Sequence, residues 1–215
     1  MLPLQNLLTE CAPEVAPATM TAIVRVESGG SPLAMWNNTT RNRVIPGNRQ
    51  QATAYLRQAM AAGQQVDVGL AQIDTENFAA FGLNPANAFN ACTNLRVGAR
   101  ILAGDYRHAV FSYGPGQGAL FHAFEAYNSG HLWGDSRYAN RILSAAGMPV
   151  RIQSDGRLSY RQRSHTPLVF VESWGVRQAP PTQACENGLG VCFELVSCSA
   201  RKPTLWARQK HAPFP

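Results

Sequence analysis

Residues 21–32 read TAIVRVESGGSP. Ala16, Met20, Ile23 and Glu27 are spaced four, three and four apart, which places them on one side of a helix. That stripe is apolar three times and then carries a carboxylate. An ionised carboxylate on a core-facing stripe is costly without a compensating partner. Ser28-Gly29-Gly30 breaks the helix at once, and Pro32 prevents it from continuing. On the helix alone, a partly exposed helix-end glutamate is the plainer reading. The alternative is a carboxylate buried for a purpose.

Working outward, periodicity predicts helices over 15–27, with Pro17 tolerated in the first turn, and over 48–62, closed by Gly63. Further helices are expected over 92–106, 119–128 and 136–146, the last stopped by Gly147 and Pro149. Asp74 is expected to cap a short helix through Phe81, ended by Gly82. NNTTRNR (37–43) reads as a loop or short hairpin, VDVGLAQI (66–73) as extended chain or a sharp turn, and SYGPGQG (112–118) as a loop. Strand signal is sparse, and a mainly α domain follows over residues 1–149. After Pro149 the texture changes. TPLVFVESW (166–174) is β-like, QAPPTQA (178–184) is a breaker, and regular periodicity is lost. Residues 150–215 are therefore expected to be a largely irregular, poorly ordered extension with at most a short hairpin.

The 215 residues are 45% apolar, enough for a sizeable core, and no run of eighteen apolar residues exists to span a membrane. MLPLQNLLTECAPEV (1–15) lacks a basic start, and Glu10 interrupts its apolar run, so it does not read as a signal peptide. Missing export information, a start downstream of the native one, and another export route all remain open. The net charge of +6 is uneven: residues 1–149 hold ten Arg against nine acids, and residues 150–215 hold nine basic residues against four acids. A basic tail suits an anionic surface, or is simply solvated. Nucleic-acid binding rests on that charge alone, with no motif, and is not expected. Among five cysteines, Cys11 precedes the first strong helix and Cys92 opens a later one. A disulfide between them would suit an oxidising compartment, with two buried free thiols as the alternative. Cys185, Cys192 and Cys198 contain no CxxC, so no metal site is expected there, and no cofactor is implied.

Four stretches stand out together: VESGG (26–30), VGLAQI (68–73), CTNLRVGARIL (92–102) and AYNSG (126–130). In this order they resemble the soluble lytic transglycosylases, which share the lysozyme-like (goose-type) fold. The family pattern is ES at a helix end, then GLxQ, then AYNxG. VDVGLAQI, with a Cys before the first helix and another before NLRVGA, is most similar to the transglycosylase subunits of type IV secretion systems. The resemblance covers roughly residues 8–148 and leaves the tail unmatched. The residue before the GLxQ glutamine is often Met in the family; here it is Ala71, and the smaller side chain is expected to widen the groove.

The resemblance implies a periplasmic enzyme that cleaves peptidoglycan between N-acetylmuramic acid and N-acetylglucosamine, leaving a 1,6-anhydro sugar. Glu27 would be the single acid and base. An apolar setting disfavours the charged form of a carboxylate, which keeps it protonated as a general acid requires. Ser28 would hold Glu27 or a sugar N-acetyl group, and Gln72 would line the groove and bond substrate. Tyr127 would orient the Glu27 carboxyl, and Asn128 would bond sugar or the glutamate loop. Trp36 and Trp133 are candidates for stacking on sugar rings, or for core and rim packing. Ordinary glycosidases place a second carboxylate opposite the first. The nearest by motif are Asp67, Asp74 and Glu76, and Asp67 reads as structural. Two competitors remain: a hydrolytic goose-type lysozyme, told apart only by its product, and a scaffold binding glycan or secretion-system subunits through the basic tail.

Overall fold

A computed structural model describes residues 4–147 and the strand residues 150–152 and 158–160. Its element order is α1 (Leu4–Cys11), α2 (Pro17–Ser28), β1 (Met35–Asn37), β2 (Asn42–Val44), α3 (Arg49–Ala61), β3 (Val66–Val68), β4 (Ile73–Asp74), a 3₁₀ turn (Thr75–Asn77), α4 (Phe78–Phe81), α5 (Ala91–Tyr113), α6 (Gln117–Ser129), α7 (Ser136–Ala145), β5 (Val150–Ile152) and β6 (Leu158–Tyr160). The mainly α reading holds.

Helix α5 is the spine. It packs against α6 along its length and against α1 at its start, while α2 lies between α1 and α7. Met20, Ile23, Leu56, Leu95, Leu102, Phe124 and Ile142 are all fully buried in one core shared by these helices. Arg25 adds a tie from α2 to α7 through the carbonyl of Ala145, 3.3 Å.

The boundaries follow local chemistry. Pro17 opens α2, and Gly29 closes it in the left-handed conformation that glycine adopts without a Cβ penalty. Asn48 caps α3 by accepting from Gln51 N–H, and Asp74 caps the 3₁₀ turn by accepting from Glu76 N–H. The expected capping residue at Asp74 and the Gly82 stop are both found.

Three features differ from the sequence reading. First, α1 was not foreseen; its apolar positions fall one turn apart, and Leu8 and Cys11 are buried. Second, of the alternatives for 37–43 and 66–73 the hairpin and the extended chain are the ones found, but they are joined in a four-stranded antiparallel sheet, ordered β2-β1-β3-β4, that the sequence reading does not contain. Its strands are two or three residues long, too short to display an alternating pattern. Asn37 anchors it to α3, donating to the Tyr55 hydroxyl (2.7 Å) and Gln64 Oε1 (2.8 Å). Third, α5 runs to Tyr113, beyond the expected end at 106. A second small cluster of Ala109, Ala119, Ala126 and Leu132 packs its last turns onto α6.

Cys11 and Cys92 form a disulfide, with Cα atoms 5.0 Å apart, that fastens α1 to the first turn of α5. After α7, β5 runs beside that helix and pairs antiparallel with β6. The expectations for TPLVFVESW and for Cys185, Cys192 and Cys198 lie outside the described residues. Among the described residues, no helix is long and apolar enough to cross a membrane.

Candidate active site

Glu27 lies on the last turn of α2 and is 3% exposed. Of the stripe read from the sequence, Met20 and Ile23 are fully enclosed with it, and Ala16 is half-buried at the helix N-cap. The carboxyl is not left without a donor. Tyr138, on the first turn of α7, donates its hydroxyl to Glu27 Oε1. Burial, followed by the neighbouring Glu27 charge, pushes the Tyr138 hydroxyl well above the usual phenol range, so it stays protonated and keeps donating.

Ser28 ties the end of α2 to the loop that follows β3. Its hydroxyl lies 2.8 Å from the Leu70 carbonyl and 3.0 Å from that of Val24, and its oxygen accepts from Gly30 N–H. That loop, the GLAQ turn, is held tightly. Asn94 of α5 accepts from Ala71 N–H at 2.8 Å and donates to the carbonyls of Val68 (2.9 Å) and Ala88 (3.2 Å). Gly69 has φ +81°, and a Cβ there would sit 2.5 Å from the Asn94 amide nitrogen. Tyr127 of α6 donates its hydroxyl to the Ala71 carbonyl at 2.8 Å.

Gln72 adopts φ +46°, rare for a residue with a Cβ, and is fully buried. Its amide nitrogen donates to the carbonyls of Ala34 (3.0 Å) and Gly69 (2.8 Å). These bonds brace the turn, the first of them against the chain before β1. Asn128 is 9% exposed and donates to Asp135 Oδ2. The structure therefore gathers Glu27, Ser28, Tyr127 and the GLAQ turn around the α2 terminus. Asn128 stands beside the loop leading into α7.

The expectation that Ala71 widens the groove is overturned. Its side chain is fully buried against α5, where a Cβ on Gly98 would approach Ala71 Cβ to 2.6 Å and the Tyr127 hydroxyl to 3.1 Å. This contact predicts an unusual sign for Gly98→Ala. A helical glycine-to-alanine change ordinarily stabilises by about 1 kcal/mol. Here overpacking against a rigid methyl should outweigh that, with a net loss of about 1–2 kcal/mol. Chemical denaturation measures it, and a rise in stability would refute the contact.

Of the acids considered as opposing carboxylates, Asp67 and Asp74 sit in the sheet, and Glu76 is exposed on the 3₁₀ turn, where it accepts from the Gln65 amide. Asp67 and Asp74 face each other in register, both fully buried, and the Asn38 amide donates to both, at 2.9 and 3.2 Å. Asp74 also accepts from Glu76 N–H at 2.7 Å. These bonds fit the structural reading of Asp67. Trp36 is half-buried in β1, whereas Trp133 is 66% exposed on the α6–α7 loop, near the His131 ring. Among the described residues, no group of three or more His, Cys, Asp or Glu is placed to hold a metal ion.

Tyr138 was missed by sequence reasoning. It stands 111 residues from Glu27, and only the packing of α7 on α2 brings them together. Asn94 was quoted within a motif, but nothing in that motif gave it a role.

Comparison with known proteins assigns most of the same stretch of chain to one family. The family profile described as "Transglycosylase SLT domain" matches residues 7–140. The chain belongs to the transglycosylase SLT family. It is similar to "Protein virB1" of Agrobacterium fabrum (strain C58 / ATCC 33970), 41% identical over 125 residues, covering 58% of this chain and 51% of that protein. "Protein virB1" of Rhizobium radiobacter is 33% identical over 189 residues, 86% of this chain and 76% of the relative. "Type IV secretion system protein virB1" of Brucella abortus biovar 1 (strain 9-941) is 34% identical over 161 residues, 70% and 67% of the two chains. With the first of these the shared region is about half the relative's length. No solved structure matches the chain.

Proposed function

We propose that this SLT-family chain is a peptidoglycan lytic transglycosylase. It would cleave the β-1,4 bond between N-acetylmuramic acid and N-acetylglucosamine, leave a 1,6-anhydromuramoyl end, and open the wall locally for a type IV secretion apparatus in the periplasm. The observation that carries the reading is the Glu27 carboxyl, 3% exposed and hydrogen-bonded by Tyr138. Family membership and the virB1 relatives support the substrate class and the secretion context. The disulfide suits an oxidising compartment.

An apolar enclosure disfavours the charged form of a carboxyl, as a general acid requires, and the Tyr138 hydroxyl holds Glu27 in place. One such group can give a proton and take one back. Protonated Glu27 donates to the bridging oxygen as the C1–O bond breaks. The substrate's N-acetyl group covers C1 as internal nucleophile. Ionised Glu27 then removes the proton of the muramoyl 6-hydroxyl, which closes onto C1. A tethered hydroxyl reacts at an effective molarity far above that of a diffusing nucleophile, so no water is needed. Tyr138 fixes the Glu27 carboxyl. Ser28, Gln72 and Tyr127 hold the wall it faces, and Asn128 and Trp133 are the groups offered to sugar.

The test is digestion of purified sacculi in ¹⁸O-labelled water, followed by mass analysis. Unlabelled anhydromuramoyl ends are expected, with little cleavage of chitin oligomers, which lack the muramoyl sugar. Labelled reducing ends as the dominant product would make the enzyme a hydrolase and return an acid such as Asp67 or Asp74 to the mechanism.

A further inference from the structure

Glu125, two residues before Tyr127, has no place in the mechanism above, yet it is 3% exposed. A carboxyl enclosed in that way requires partners, and it has two. Its Oε2 lies 2.8 Å from His122 Nδ1, and its Oε1 accepts the main-chain N–H of Asp135 at 3.1 Å. Asp135 is the cap of α7: its Oδ1 accepts Tyr138 N–H at 3.2 Å, and its Oδ2 receives the Asn128 amide. Tyr138 in turn donates to Glu27. A continuous set of hydrogen bonds thus runs from His122 through Glu125 and Asp135 to the residue that holds the Glu27 carboxyl. The side chain of His122 is 26% exposed against 4% for Glu125, so the outer end of the set meets solvent and the inner end does not.

We propose that Glu125 is a positioning residue for Glu27, acting through Asp135 and the first turn of α7, and that His122 tunes the pH at which it does so. The proposal rests on Glu27 being the acid and base. The titratable groups that meet Glu125 are His122 from its own helix and Asp135 from the loop entering α7. From α5, Tyr113 stacks on the His122 ring at 3.8 Å. Burial pushes Glu125 above the usual carboxylate range, and His122 pulls it back. The ionised form is the better acceptor for Asp135 N–H. As pH falls through the raised value, Glu125 gains a proton, its hold on Asp135 weakens, and the Tyr138 hydroxyl loses its fixed place. Activity therefore falls on the acid side. Removing His122 removes a lowering influence, so that acid limb must move to higher pH.

The experiment measures kcat and KM on soluble glycan strands across the acid to neutral range for five proteins: wild type, Glu125→Gln, His122→Gln, Tyr138→Phe and the double variant Glu125→Gln/Tyr138→Phe. Glu125→Gln should lower kcat at neutral pH on the order of tenfold, short of the 10²-fold that an ångström of misplacement costs, with KM little changed. Its rate should no longer show the limb that titration of Glu125 produces in wild type. His122→Gln should keep the limb and shift it alkaline. On the Tyr138→Phe background, Glu125→Gln should change kcat by less than about twofold, because residues acting as one unit are not additive. The proposal is overturned if the acid limb lies at one pH in wild type, His122→Gln and Glu125→Gln. It is also overturned if Glu125→Gln costs as much without the Tyr138 hydroxyl as with it. Should Glu125→Gln not fold, as judged by its melting transition, the His122→Gln limb alone decides. Failure of the Glu27 reading would appear separately, as substantial activity in Glu27→Gln.

Discussion

Replacing Glu27 by Gln is expected to reduce glycan cleavage by about 10²–10⁴-fold or more, since general acid–base help is of that size and one group serves both steps. The fold should survive. Gln matches Glu in shape, and its carbonyl can still accept the Tyr138 hydroxyl that now reaches Oε1. The change removes only the transferable proton. Muropeptide release from sacculi measures activity, and the melting transition of the variant checks the fold. Retention of more than roughly a tenth of the wild-type rate, in a variant that melts normally, would sink the assignment.

Removing the Cys11–Cys92 bond is expected to be the largest single loss of stability. It closes a separation of 81 residues, for which loop-closure entropy gives about 4–5 kcal/mol. Paired Cys11→Ser and Cys92→Ser should therefore lower the melting temperature by about 10–15 °C in a domain of this size. The first effect should be local, since α1 contributes Leu8 and Cys11 to the core and the bond fastens it to α5. Denaturant titration of oxidised and doubly substituted protein measures the difference. Alkylation of both thiols by iodoacetamide in oxidised, denatured protein would show that the bond does not form.

The reading of Glu27 came from a local signal. An apolar stripe, a carboxylate in register with it and a glycine stop lie within fifteen residues, and helical geometry turns that spacing directly into a shared face. Helices 48–62 and 136–146 were legible for the same reason, since each has a cap or a stop that acts on neighbouring atoms. The hairpin at 37–43 and the extended chain at 66–73 were legible only as alternatives, and their union into one sheet was not, because the strands are held by backbone pairing and by Asn37 and Asn38, not by an alternating apolar face. The α5 extension was hidden because alanines and one leucine, not large side chains, pack its end. Within the site, the GLxQ turn was located, but the direction of its side chains was not. Ala71 points into α5, and the Gln72 amide serves the backbone, and both depend on how α5 docks. Tyr127 was placed by its motif; Tyr138 and Glu125 act through contacts between elements that no spacing encodes.

The bond between Tyr138 and Glu27 also sets an order of events. The acid belongs to the second helix, and its donor belongs to the seventh, 111 residues later. Chains are made, and domains begin to fold, from the N-terminus. Everything needed to form α1, α2 and the sheet therefore emerges while the acid still lacks its phenol. Such a partial chain carries the Glu27 carboxyl without the phenol that donates to it. On the proposed function, competence arrives only when α7 docks, which gives the domain a built-in delay during its own synthesis.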